Sequence, residues 1–240
     1  MQVAFWLPSR VVVFVALGAF ETGCAPPPQS RQTPLPFAGT FMSTNTADIR
    51  VYTDMGFLGE KAVGAQPKLI GERGDSGIVK VFRPTGPPGF RRVADRPILI
   101  AEDDGHGTTR FYTEIRSNGD RSPTAKPVLV VDEVGSVQVK VYKDIGPNGE
   151  KAFNARPILI AEGGSSGMTK VYDDSNFLGD KNFLAKPIFV AEDSDGGTAR
   201  VYRDIGPFGD KNLFANPIVL VEYGSKLTRS LFIVLLLFTQ

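Results

Sequence analysis

The sequence predicts an all-β fold made of six tandem 30-residue repeats over residues 47–226. Three observations carry that prediction. The first is spacing: an aromatic recurs at Tyr52, Phe82, Tyr112, Tyr142, Tyr172 and Tyr202. A glycine keeps the same step at Gly59, Gly89, Gly119, Gly149, Gly179 and Gly209, and a proline keeps it at Pro67, Pro97, Pro127, Pro157, Pro187 and Pro217. An acid closes each unit's second apolar run, at Glu72, Glu102, Asp132, Glu162, Glu192 and Glu222. The second observation is strand chemistry inside each unit, β-branched and aromatic residues in short runs. The third is composition, with 26 glycines and 18 prolines and no helical periodicity within the repeats.

The elements follow in order. Residues 1–24 read as an export signal: Arg10 precedes the apolar run from Val11 to Phe20, which is too short to span a bilayer. Gly23-Cys24 followed by Ala25-Pro26-Pro27-Pro28 resembles a lipoprotein processing site, although Glu21 stands where that pattern wants an aliphatic residue. Cys24 is therefore the expected lipid attachment point, with simple cleavage and release as the alternative. Residues 25–46 read as a proline-stiffened tether.

Within a unit the first strand is represented by Ala199-Arg200-Val201-Tyr202-Arg203-Asp204 and the second by Pro187-Ile188-Phe189-Val190-Ala191-Glu192. The second strand is apolar on both faces and is expected to be buried on both; its proline sits at the first position, where a strand tolerates one. A short polar turn such as Asp193-Ser194-Asp195-Gly196-Gly197 joins the second strand to the next unit in a hairpin. The longer connection from first to second strand is expected to hold a left-handed residue at Gly56, Gly86, Gly146 and Gly206, with Asn176 as substitute. A third short strand is expected near Asn212-Leu213-Phe214-Ala215. Residues 227–240 end in the apolar run Leu231–Phe238, expected to be a final strand or a free tail.

Unbroken spacing favours units that bury their faces against neighbours, since a one-residue slip would turn a strand inside out. The expected assembly is closed, propeller-like or sandwich-like and antiparallel, with a β-solenoid as the alternative. Tyr172-Asp173-Asp174-Ser175-Asn176-Phe177-Leu178-Gly179 resembles the aromatic–aromatic–glycine signature of βγ-crystallin repeats, and Tyr52 to Gly59 matches through Phe57. The other units carry Pro87, Ser117, Pro147 and Pro207 at the second aromatic position. The resemblance implies a βγ-crystallin-like module.

Lysine plus arginine (27) nearly balances aspartate plus glutamate (26), so no basic field invites nucleic acid or an anionic bilayer. A membrane partner is expected only through a lipid on Cys24. One cysteine and one histidine exclude an intramolecular disulfide and a multi-ligand zinc site. The acidic turns Asp103-Asp104-Gly105 and Asp193-Ser194-Asp195 are read as turn chemistry rather than calcium sites, because Gly163-Gly164-Ser165-Ser166-Gly167 at the equivalent place has no carboxylate. Neither metal nor cofactor is expected. His106 lies in a glycine-flanked turn with no nucleophile motif, so catalysis is not expected; a glycan hydrolase using paired acids is the less favoured alternative.

The candidate binding residues repeat with the unit. A basic residue (Arg50, Arg110, Lys140, Lys170, Arg200) precedes each tyrosine (Tyr52, Tyr112, Tyr142, Tyr172, Tyr202) by two positions. An acid follows by two at Asp144, Asp174 and Asp204. An aromatic plate between a cation and a carboxylate suits a sugar, so a glycan or surface polymer is the expected partner, held at several weak sites. The alternatives are a ladder of ion pairs between units and a non-catalytic structural role in the cell envelope.

Overall fold

A computed structural model describes residues 41–43 and 49–239, except positions 58, 75, 88, 89, 136, 165, 166, 195, 196, 225 and 226. The expected export signal, Cys24 and most of the tether lie outside the described residues. Each unit contributes two strands to the body. In chain order these are β2 (Ile49–Tyr52) and β3 (Leu69–Arg73), β4 (Val79–Phe82) and β6 (Leu99–Asp103), β7 (Thr108–Tyr112) and β8 (Leu129–Val134). The second half continues with β9 (Gln138–Tyr142) and β10 (Leu159–Gly163), β11 (Met168–Tyr172) and β12 (Phe189–Ser194), β13 (Thr198–Tyr202) and β14 (Val219–Tyr223).

These strands form one closed antiparallel barrel in sequence order, and β14 pairs with β2 to complete it. The chain is thus nearly all β and closed, as expected. Closure takes the form of one continuous sheet, with neither separate blades, nor two packed sheets, nor the parallel coils of a solenoid. Apart from the closing β14–β2 pair, every pairing of the barrel joins consecutive barrel strands, so there is no Greek-key crossover among the described residues. A short strand from the expected tether, β1 (Phe41–Ser43), pairs with β5 (Phe90–Arg92) outside the barrel.

Alternation along each strand divides the barrel into two faces. Odd positions such as Val51, Leu69, Val81, Leu99, Phe111 and Val201 point inward and are essentially fully buried. Even positions point outward and include the recurrent aromatic and charged residues. The second strands are buried on both faces: Leu69 and Ile70, or Phe189 and Val190, are covered alike.

A barrel of about eight strands is the size that side chains alone can fill. Twelve strands leave a wider lumen, and the C-terminal run fills it. It forms the helix α1 (Arg229–Phe238), where a strand or free tail was expected, and Leu231 to Leu236 pack against the inward residues of the barrel. The run is apolar around its whole circumference, which suits a helix enclosed on all sides and leaves a strand reading of eight residues equally open from sequence. Thr228 caps the first turn by accepting from the Leu231 N–H. Ser230 donates to Glu133 at 2.7 Å, and Lys68 donates to the Thr239 carbonyl at 2.8 Å. The lysine thus meets the negative end of the helix dipole.

Two local expectations need correction. The left-handed residue of the long connection is Gly59, Gly119, Gly149, Gly179 or Gly209, with φ between 74° and 80°, not the glycine three positions earlier. Gly56 and Gly146 keep ordinary φ, and a Cβ there would meet the carbonyls of Glu60 and Glu150 only at ordinary contact distance. The segment expected as a third strand makes a turn instead, preceded by a single bridge such as Ile205↔Lys211.

Candidate functional site

The long connections do not extend away from the barrel end. In every unit but the second, where β5 pairs with β1, the connection folds back over the outward face of its own unit as a miniature hairpin: Gly56 N–H donates to Glu60 O, Gly59 N–H to Gly56 O, and Ala62 N–H to Asp54 O. This return places the residue nineteen positions after each closing acid beside that acid, one unit along. The resulting ion pairs are Arg91–Glu72, Arg121–Glu102, Lys151–Asp132, Lys181–Glu162 and Lys211–Glu192, and Lys61–Glu222 joins first unit to last.

The same six cations lie over the outward aromatics. Lys61 sits 4.9 Å from the Tyr52 ring centroid, Arg91 4.2 Å from Phe82, and Arg121 4.7 Å from Tyr112. Lys151, Lys181 and Lys211 stand at 4.7, 4.5 and 4.4 Å from Tyr142, Tyr172 and Tyr202. A partly desolvated cation–π contact contributes about 0.5–2 kcal/mol. The hydrogen bond to Glu222 holds the Lys61 ammonium above the usual lysine range, and bonds to Glu162 and Glu192 do the same for Lys181 and Lys211. Burial raises the phenols of Tyr52 and Tyr112.

The candidate tyrosines Tyr52, Tyr112, Tyr142, Tyr172 and Tyr202 are therefore buried under cations from their own loops, at 5–6% exposure. Their basic neighbours do share the outward face. Arg50 lies opposite Glu222, Arg110 opposite Glu102, Lys140 opposite Asp132, Lys170 opposite Glu162 and Arg200 opposite Glu192. Lys140 and Lys170 also reach one unit onward to Asp180 and Asp210, at 2.8 and 2.7 Å, and Lys80 reaches Asp120 at 2.8 Å. Asp144, Asp174 and Asp204 lie beyond the strand ends and are exposed. Their carbonyls close the loop hairpins, and the Asp174 and Asp204 carboxylates accept from Asn182 and Asn212. The candidate basic residues share the outward face with the tyrosines, but the cation over each ring is the loop residue, as Lys61 over Tyr52, and the acid that cation contacts comes from the preceding unit.

Sequence reasoning missed the most exposed groups of this layer. Phe57, Val63, Phe153, Phe177, Phe183, Leu184, Phe208, Leu213 and Phe214 are between 77% and 107% exposed. Several share a repeat position: Val63, Phe153, Phe183 and Leu213 are equivalent, as are Leu184 and Phe214. Recurrence of large apolar side chains beside the invariant cation was the available signal. His106 is exposed, and its backbone N–H donates to Asp104. Among the described residues, no cluster of three histidine, cysteine or acidic side chains is arranged around a cation position.

No protein-family model and no curated protein matches the chain. Among solved structures it is similar to Chaetomium thermophilum Sqt1 bound to the N-terminus of ribosomal protein L10, at 13% identity and TM-score 0.28, covering 57% of this chain and 56% of that one. A structure of Sqt1 without that peptide gives 13% identity and TM-score 0.29, covering 57% and 53%. The chain thus matches little more than half the length of these structures.

Proposed function

We propose that the protein is an exported, non-catalytic binding module whose barrel presents a repeated outer layer to a glycan or similar surface polymer. The observation that supports this is the set of exposed apolar side chains at one repeat position, Phe153 at 101%, Phe183 at 96% and Leu213 at 87%. Side chains that contribute no packing to their own fold are free to meet a ligand. With the lumen filled by α1, binding is assigned to the outside, and equivalent positions on successive units give multivalency. The strand tyrosines then act as supports under the loops, and the loop side chains make the contact.

A glycan array comparing the parent with Phe153→Ala/Phe183→Ala/Leu213→Ala tests the reading. Loss of signal in that variant, with an unchanged melting temperature, is the expected result. A second variant, Tyr142→Ala/Tyr172→Ala/Tyr202→Ala, tests whether the strand aromatics bind directly. Export and lipidation belong to the same proposal: the intact mass of the membrane-associated protein should place a lipid on Cys24 as its mature first residue.

A structural reading, a stable envelope spacer without a ligand, is favoured by one feature. All six cation–aromatic–acid contacts are satisfied within the molecule, including the Lys61–Glu222 closure. It predicts high thermal stability and no shift on adding saccharides.

A further inference from the structure

Resting on the binding reading, we infer that the groove between the third and fourth units is a primary subsite for a neutral sugar ring. Its position follows from a break in the repeat. At three of the unit junctions a strand lysine straps down the next loop: Lys80 holds Asp120, Lys140 holds Asp180 and Lys170 holds Asp210. In the third unit the lysine is Arg110 and the aspartate one unit onward is Glu150. Arg110 turns instead to Asp104, 3.6 Å away, and among the described residues Glu150 forms no ion pair. The space a strap would cross is a groove of about 390 Å³, within the range of small-ligand sites.

The lining suits a pyranose. Val130 lies among the groove's apolar residues, and Phe153, fully exposed, supplies an aromatic plate. The C–H face of a sugar ring is weakly positive and fits the negative face of a phenyl ring. Thr108 donates to Asp132, which also accepts from Lys151, so one polar wall is already ordered. Arg110 and Glu150 offer a donor fork and an acceptor for ring hydroxyls. The two cations, Arg110 and Lys151, balance the two carboxylates, Asp132 and Glu150, so the groove selects a neutral sugar over a uronic or sialic acid.

The other units lack the combination. Arg200 with Glu60, and Arg50 with Phe90, also depart from the strap's sequence, but Val63 and Val93 stand where Phe153 does; Phe183 is aromatic, but its unit has the Lys140–Asp180 strap. The groove between the third and fourth units joins an open strap to an aromatic.

Calorimetric titration of the full chain with hexamers of glucose, mannose, xylose and N-acetylglucosamine, and with a galacturonate hexamer as acidic comparator, tests this. A neutral hexamer should bind, and Phe153→Ala should weaken it about tenfold or more. Arg110→Lys/Glu150→Asp, which rebuilds the strap of the neighbouring units, should weaken it equally while the melting temperature holds. His106→Ala, at an exposed turn outside the groove, should leave this affinity within about twofold. If both groove variants bind like the parent while Phe183→Ala/Leu213→Ala does not, the groove assignment is overturned and the multivalent reading stands. Preference for the galacturonate hexamer overturns the neutral-sugar assignment alone. Failure of the parent to bind any hexamer overturns both.

Discussion

The inner and outer layers of this barrel share the same strands, yet residue identity is treated differently in each. Inward positions vary from unit to unit. The series Val51, Val81, Phe111, Val141, Val171, Val201 admits a phenylalanine, and Gly71, Ala101, Val131, Ala161, Ala191, Val221 ranges from no side chain to a branched one. Close packing asks for total volume, and α1 can accommodate an irregular wall. Outward, the aromatic, cation, acid, glycine and proline recur in every unit, because cation–π, ion-pair and tight backbone contacts each demand one chemistry at one place. Strict repetition therefore marks the directional contacts, and loose repetition marks the dry interior.

The largest expected effect lies in that interior. Ile233→Asp places a carboxylate on a helix residue only 1% exposed, and an unpaired buried charge costs many kcal/mol unless it neutralises. The cooperative thermal transition followed by circular dichroism should disappear. Leu235→Ala, which only empties volume, should cost about 2–5 kcal/mol. Parent-like melting of Ile233→Asp would mean that the helix is not enclosed in solution.

The junction between layers comes next. Gly59 combines φ 74° with an ideal Cβ only 2.7 Å from Pro217, whereas Gly64 combines φ 80° with open space. Gly64→Ala should cost about 1–2 kcal/mol for its left-handed backbone. Gly59→Ala should cost about 1–3 kcal/mol more for the forced contact with the neighbouring unit. Urea titrations give both values, and equal losses would remove the glycine–proline contact as a constraint on the repeat.

How far this was legible in sequence depends on the range of each signal. Period, strand pair and two-sided burial of Leu69–Ile70 or Phe189–Val190 are local patterns and could be read directly. The choice of a barrel could not, since it depends on how six units curve together and on a tail that fills the lumen. Leu231–Phe238 has no polar face to reveal a helical period. The cation above Tyr52 was hidden for a related reason. Lys61 is nine residues downstream and reaches the ring only because the loop turns back, and its acid, Glu222, comes from the other end of the repeat. The exposed loop aromatics were legible as residues; their exposure follows from that return path.

A smaller effect separates the six outer contacts by chemistry. Lys61, Lys181 and Lys211 have raised pKa values, chiefly through their hydrogen bonds to carboxylates. The folded protein thus binds protons more tightly than the unfolded chain. That stabilisation is complete below the unfolded lysine value of about 10.4 and is lost as pH rises through the folded values. The raised phenols of Tyr52 and Tyr112 act in the same direction. Lys61→Arg/Lys181→Arg/Lys211→Arg, which copies the second and third units, should make the alkaline decline shallower. Solvent screening limits the difference to about 1 kcal/mol in total. Urea midpoints at pH 8 and pH 11 measure it, and an identical decline in parent and variant would show that the lysines do not carry it.

The smallest effect should fall at the tips of the outer layer. Phe183 is 96% and Phe214 89% exposed, so neither ring gains apolar burial from the fold. Phe183→Ser and Phe214→Ser should each change stability by no more than about 0.5 kcal/mol. The result is informative because Phe183 lies two residues from Lys181, whose ammonium is fixed between Tyr172 and Glu162. Structural duty in this loop is thereby confined to the cation, leaving the neighbouring aromatic to face outward. Removing apolar surface should also raise the concentration at which the protein self-associates, measurable by light scattering. A loss above 1 kcal/mol in either variant would mean that the tips pack against the barrel in solution, and the division between a supporting cation and an outward-facing aromatic would fail.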